Sequence, residues 1–154
     1  MNTTPLPPPP VVAVRLAYAG LIPFVLGAAL AWLLPPPDGA SPGLDEHTYA
    51  LLGLSAYAAV VLAFLGAVHW GRALQAGERA TFPYAWAVVP ALLGTMGALM
   101  PAYAGLVLQG VALIACYAVD RQQYARWGAQ SWLTLRFRCT VLASLCCFLA
   151  AAAT

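Results

Sequence analysis

The sequence has no lysine, and charge of either sign is sparse: seven basic residues, all Arg, five carboxylates and two histidines in 154 residues. Charged residues make up 8% of the chain and apolar ones 62%. A soluble domain carries about 25% charged residues. Too few charges are present to solvate a globular surface, and hydrocarbon is the medium that fits, because there charge is costly and apolar surface is not. There is no basic run, which sets nucleic acid aside as a partner. There is no CxxC among Cys116, Cys139, Cys146 and Cys147, so these read as small apolar packing residues. Cys146 and Cys147 are adjacent, about 100° apart on a helix, and poor joint ligands. No Ser-His-Asp set, phosphate-binding glycine loop or HExxH is present. The expectation is therefore no enzyme activity, no cofactor and no metal.

The N-terminus, "MNTTPLPPPP", lacks the basic region of a signal peptide. Residues 7–10 favour an extended polyproline conformation, and residues 1–15 read as a disordered Pro-rich tail.

What is there is length in the apolar runs. A span needs about 20 apolar residues at about 1.5 Å each. Five stretches meet or approach that: residues 16–34, closed by Pro35, Pro36 and Pro37; residues 49–70; residues 84–100, with Pro90 inside; residues 102–119; and residues 138–153, the shortest. The third and fourth meet at Met100-Pro101, a tight hairpin. The fold class expected is all-α, a polytopic membrane bundle of five helices in one domain over residues 16–154.

The charges orient it. Arg15 precedes the first span, Arg72 and Arg79 separate the second and third, and Arg121, Arg126, Arg136 and Arg138 separate the fourth and fifth. The opposite side has Asp38, Asp45 and Glu46 but no Arg. By the positive-inside rule the N-terminus is cytoplasmic and the C-terminus periplasmic. If the fifth stretch did not cross, the tally would be unchanged. Aromatic residues form two belts, Trp32, Tyr49 and Tyr103 outside, and Trp70, Tyr84, Trp86, Tyr117, Trp127 and Trp132 inside. An all-arginine, alanine-rich chain fits a GC-rich coding sequence, and the setting expected is the bacterial inner membrane, with the lipid bilayer as first partner.

Steps of three and four along each span trace a stripe of small or weakly polar residues: Ala17, Gly20, Phe24, Gly27 and Ala31; Ser55, Ala59, Leu62, Gly66 and His69; Ala87, Ala91, Gly94 and Ala98; Gly105, Gln109, Ala112 and Cys116; Cys139, Ala143, Cys146 and Ala150. Membrane helices associate where small residues let backbones approach, so these faces predict a packed bundle. In the second span, Leu54, Val61, Leu65 and Val68 read as the lipid side.

Few polar residues remain as candidates. His69 shares the Gly66 face near the inner boundary, with Arg72 one turn beyond. It reads either as a titrating or ligand-binding group or as a polar cap at a helix end. Asp120 ends the fourth span on the Cys116 face, where it reads as a structural ion-pair partner, of Arg72 across the bundle or of neighbours of Arg121. Gln109 is the one strongly polar side chain near mid-membrane, and its amide needs a partner within the bundle. Asp45, Glu46 and His47 open the second span, where acids complement the helix dipole. His47 and His69 lie at opposite ends, which excludes a two-histidine haem site. The segment "DRQQYARWGAQSWLTLRFRCT" alternates aromatic residues with Arg and reads as a membrane-surface element or a docking surface.

Three stretches carry a resemblance: "YAAVVLAFLGAVHWG" (57–71), "WAVVPALLG" (86–94), and Asp120 followed by "WLTLRFRCT" (132–140). Together they resemble the membrane family called domain of unknown function 3429, to which eukaryotic transmembrane protein 69 is similar. His69, Trp70 and Gly71 are the most specific element. Trp86 and Pro90 match in the third helix, and Trp132, Leu135, Arg136 and Thr140 match a WxxLRxxxT pattern. Ala63 and Ser131 stand where the family pattern has Ser and Pro, and a second Trp after Leu93 is missing. The resemblance implies a multi-helix membrane protein and supplies no activity.

The function expected is a non-catalytic accessory, assembly or scaffold protein of a larger membrane complex, using an inner-face cluster of His69, Trp70, Gly71, Arg72, Asp120, Trp132 and Arg136. One alternative is a small transporter or channel, acting as a homo-oligomer, with Gln109 and His69 along its path. Another is a lipid- or quinone-binding protein with Trp70, Trp86 and His69 around a headgroup.

Overall fold

The computed structural model describes residues 6–36 and 45–154. Pro37 and Asp38 lie outside the described residues. The helices in chain order are α1 (Val11–Ala19), α2 (Ile22–Leu33), α3 (Glu46–Ala76), α4 (Thr81–Leu99), α5 (Ala102–Arg126) and α6 (Leu133–Ala151). There is no strand among the described residues. Five units are long and apolar enough to cross a membrane, with α1 and α2 together forming the first over 23 residues.

The first span is broken at Gly20 and Leu21. Pro23 sits in the opening turn of α2 and has no N–H to return to α1. The Tyr57 hydroxyl of α3 donates to the Gly20 carbonyl at 2.9 Å. That bond satisfies a backbone acceptor at the break, as a low-dielectric setting requires. The Phe24 ring packs edge-on against Tyr57, with centroids 5.3 Å apart.

α1 begins at Val11, inside the stretch read as tail, because nothing from Val11 onward breaks a helix. Residues 6–10 run against the α5–α6 turn. The Leu6 N–H donates to the Gly128 carbonyl at 2.9 Å, and the Trp132 indole N–H donates to the Pro7 carbonyl at 3.2 Å. Proline has no N–H but keeps an acceptor carbonyl, which is how this segment is held. Residues 1–5 lie outside the described residues.

α3 is longer than the second span at both ends. The Asp45 side chain accepts from the Thr48 N–H at 2.7 Å as its N-cap. That backbone hydrogen bond holds the Asp45 carboxyl below its ordinary value. At the far end Gly77, at φ 59°, provides the left-handed residue that reverses the chain. Glu78 then accepts from the N–H groups of Arg79 and Ala80 and leads into α4. Met100 and Pro101 alone join α4 to α5.

Residues 120–140 do not form a separate surface element. α5 continues through Arg126, Gly128 (φ 68°) turns the chain, and a single 3-10 turn, Gln130–Trp132, leads directly into α6. Helix-forming residues outnumber breakers up to Gly128, so the segment is absorbed into helix ends. α6 consequently starts five residues before the expected boundary and is long enough to span.

α3 packs on α2, α4 and α5, while α6 packs on α5 and α2 and so closes the bundle. The contacts run through glycine. A Cβ on Gly66 would collide with the Ala87 carbonyl of α4, and one on Gly105 with the Gly97 carbonyl. One on Gly94 would lie 2.9 Å from the Ala59 Cα. Without Cβ atoms these backbones approach closely, and dispersion and lipid entropy hold the helices together. The lipid side of α3 differs from the expected one. Leu54 is buried, and Val61 and Leu65 pack against the core. Leu52, Val60 and Phe64 are exposed instead. α3 is flanked on three sides, so its free arc is narrow and shifted from the one a single-stripe reading gives.

Candidate functional site

Chain direction brings all seven arginines to one end: Arg15 in α1, Arg72 and Arg79 at and after the end of α3, Arg121 and Arg126 in the last turns of α5, Arg136 and Arg138 at the start of α6. Within that end lies a buried ionic centre. Asp120 is 3% exposed and His69 2% exposed. Asp120 Oδ1 lies 2.7 Å from His69 Nε2, and its Oδ2 accepts from Arg136 Nε at 2.7 Å. A carboxylate engaged by a guanidinium only accepts, so the His69 proton at this contact sits on Nε2. Arg136 Nη1 donates onward to the Thr140 hydroxyl at 3.3 Å. The centre thus ties α3, α5 and α6 together. The partner of Asp120 is Arg136, not Arg72: the Gly128 turn folds the first turn of α6 back over the last turns of α5.

Arg72 does something else. Its Cζ lies 5.5 Å from the centre of the Trp127 ring, a cation–π distance, and its Nη1 donates to Gln75. Trp127 also meets His69, whose ring centroid is 5.1 Å from its own. Tyr124 packs on Trp127 at 5.3 Å.

The chain matches, over residues 9–152, the model of a family described as "Protein of unknown function (DUF3429)". It belongs to that family. No curated protein and no solved structure matches it.

The element that carries the DUF3429 resemblance most specifically divides in the structure. His69 is in the ionic centre. Trp70, 44% exposed, points away and packs edge-on against Tyr84 of α4. Gly71 is exposed, with open space where a Cβ would stand, and nothing in the structure explains it. His69, Arg72, Asp120, Arg136 and Trp132 therefore gather at one end, and Trp70 and Gly71 face elsewhere. Trp127, Tyr124 and Thr140 are not assigned to this cluster from the sequence, although Trp127 belongs to the inner aromatic belt and Thr140 to the WxxLRxxxT pattern. The first two lie seven and four residues beyond Asp120, and Thr140 lies four beyond Arg136, all at same-face helical spacing. Extending the 3.6-residue step past the presumed end of the fourth span finds them.

Beside the centre, between α1, α2, α3 and α6, is a cavity of about 840 Å3. Its length is lined by apolar side chains such as Leu16, Phe24, Leu65 and Ala143, and its arginine-bearing end by Arg72, Arg136, Tyr124, Trp127, Trp132 and Thr140. Trp86, expected with Trp70 around a headgroup, stacks on Phe82 instead. Neither tryptophan lines the cavity.

Gln109 sits elsewhere, at the crossing of α3, α4 and α5, with 0% exposure. Its carbonyl accepts from the Ser55 hydroxyl at 3.1 Å. Its amide N–H groups donate to the carbonyls of Ser55 and Gly94, each at 3.0 Å. Among the described residues no group of three or more His, Cys, Asp or Glu is placed to hold a metal ion.

Proposed function

We propose that the chain is a non-catalytic accessory protein of the bacterial inner membrane that holds an amphiphile from the bilayer in the cavity beside α1. The cavity carries the reading. At about 840 Å3 it falls in the range of small-molecule sites, roughly 300–1,000 Å3. It is apolar along its length and polar at one end, which is the pattern of an amphiphile. The orientation proposed, N-terminus cytoplasmic and C-terminus periplasmic, is supported by the seven arginines at one end. The His-Trp-Gly element supports a likeness to transmembrane protein 69 within the family.

Two observations favour binding over other roles. His69 and Asp120 are bonded to each other and buried, so they organise the interior instead of presenting a docking face. The polar atoms of Gln109 are all engaged in a dry crossing, which is unlike the lining of a conduction path. Any larger assembly in which the chain takes part would use exposed surface such as that around Trp70 and Tyr84.

The test is native mass spectrometry of the full chain purified in mild detergent, with lipid analysis of the same sample. The wild type should retain one amphiphile per chain. Ala17→Trp, which fills the cavity from α1, should lose it while keeping the melting temperature within a few degrees. If the wild type retains none, or Ala17→Trp retains as much, the reading is wrong.

A further inference from the structure

We infer that the occupant of the cavity is an anionic phospholipid, its phosphate seated between Arg72 and Arg136 and an acyl chain lying along α1 and α3. This rests on the reading of the cavity as an amphiphile site and specifies the ligand's charge.

Arg136 borders the cavity at its polar end. A guanidinium has five N–H donors in a fixed fork. Its Nε is used by Asp120 and its Nη1 by Thr140. Its Nη2 is buried and has no partner among the described residues, and the residue lines the cavity. A buried charged donor left unbonded is unfavourable, and an anionic oxygen entering the cavity relieves it. Arg72 lines the same end from the opposite helix. Asp120 has one oxygen on His69 and the other on Arg136, so it offsets one guanidinium and leaves the charge of Arg72 unbalanced. No Asp or Glu is among the lining residues. Two guanidinium groups facing one polar end select an oxyanion, and Arg matches the spread of phosphate oxygens better than a point cation does.

The depth agrees. Trp127 and Trp132 line this end, and tryptophan prefers the headgroup level of a bilayer. Below it the lining is hydrocarbon. A phosphate at that level with a chain running down the cavity is the geometry of a phospholipid on the arginine-bearing side, where clustered arginines attract anionic headgroups.

The experiment measures binding to the detergent-purified, delipidated full chain by native mass spectrometry. Phosphatidylglycerol and phosphatidylcholine with the same acyl chains are compared, with oleate and glycerol phosphate as further probes, on wild type, Arg72→Gln and Ala17→Trp. Among the described residues Arg72 makes no ion pair and no contact with Asp120, so its replacement keeps both bonds of the Asp120 carboxylate. The wild type should prefer phosphatidylglycerol at least tenfold, and Arg72→Gln should cut that preference severalfold while phosphatidylcholine binding stays the same. Ala17→Trp should lose both lipids, and glycerol phosphate should not displace the lipid. Equal binding of the two lipids, both blocked by Ala17→Trp, overturns the anionic assignment and leaves the amphiphile reading standing. Binding of oleate without phosphatidylglycerol, or displacement by glycerol phosphate, also overturns it. Binding of no probe at all removes the amphiphile reading itself.

Discussion

Replacing Asp120 with Leu removes the one anion of the buried centre and leaves two polar groups behind. Arg136 keeps only its bond to Thr140, and His69 Nε2 loses its acceptor. Breaking a buried pair by deleting one partner costs about 3–5 kcal/mol, most of it the penalty on the charge left behind. Arg136 is not sealed: its side chain is 14% exposed and it borders the cavity, so it can swing toward solvent or headgroups. The lower end of the range, about 3 kcal/mol, is expected. For a domain of this size that lowers the melting temperature by on the order of 10 °C. The readout is tryptophan fluorescence during heating in mild detergent, which sums the five tryptophans of the chain, with Trp127 against His69 among them.

The same reasoning fixes a second number. In the double variant Asp120→Leu with Arg136→Met, no uncompensated charge remains, and isosteric apolar replacement of a buried pair is often neutral. The double variant should therefore melt above Asp120→Leu alone, with a coupling energy of about 1–3 kcal/mol across the cycle. A single variant within about 1 kcal/mol of wild type, or two single effects that simply add, would show that the pair is not a structural tie between α5 and α6.

Three further outcomes follow from the packing. Gly66→Ala drives a Cβ into the Ala87 carbonyl of α4 and should cost about 1–3 kcal/mol by overpacking, whereas Gly53→Ala, in open space, should be neutral or slightly stabilising; equal melting temperatures would refute the close approach. Gln109→Leu removes three hydrogen bonds across α3, α4 and α5 and should cost about 1–2 kcal/mol, with proton leak into liposomes the same for both forms; a leak that disappears in the variant would place Gln109 on a path. Asp45→Ala removes the N-cap of α3, so it should lower the melting temperature at pH 7. Asp45's folded-state pKa is depressed, so the cap's contribution is present above the ordinary Asp value of 3.8 and is lost as pH falls through the lower folded value. The gap between variant and wild type should accordingly close on acidification, and a gap that does not narrow as pH falls below the ordinary Asp value of 3.8 would contradict the cap.

The number of spans and their small-residue faces were legible because membrane solubility leaves its mark on every residue of a span. Gly66, Gly94, Gly105 and Gln109 could be assigned to interfaces from spacing alone. Helix ends were not legible in the same way. The apolar run of the second span stops near Trp70, but the helix continues to Ala76, because Arg, Ala, Leu and Gln are good helix formers in water too. Hydropathy reports where hydrocarbon ends, and backbone conformation changes only at Gly77. Gly128 ends α5 in the same manner, eight residues past Asp120. The lipid side of α3 failed for a different reason: a stripe along one helix does not say how many neighbours that helix has.

The site was half legible for the same physical cause. His69 and Asp120 could be picked out because a charge or an imidazole at the edge of an apolar span is rare. The arginine partner of Asp120 could not, since it depends on the Gly128 turn, which brings Arg136 rather than Arg72 to Asp120. The cavity was beyond reach altogether. Its wall comes from helices far apart in the sequence, with Leu16 and Ala17 from α1, Phe24 from α2, Leu65 from α3 and Ala143 from α6, and α6 contacts both α1 and α2. Its apolar lining, including Leu16, Ala17 and Leu65, carries no mark that distinguishes cavity wall from lipid-facing surface. Only its arginine-bearing end has a sequence signal, and that signal is shared with the positive-inside rule: Arg72 counts in the arginine tally from which orientation is proposed and lines the cavity as well. The unpartnered Nη2 of Arg136 separates the two roles. Orientation requires only a charge near the interface, whereas a buried guanidinium nitrogen without a partner among the described residues, on a residue that lines the cavity, is the feature an anionic occupant would satisfy.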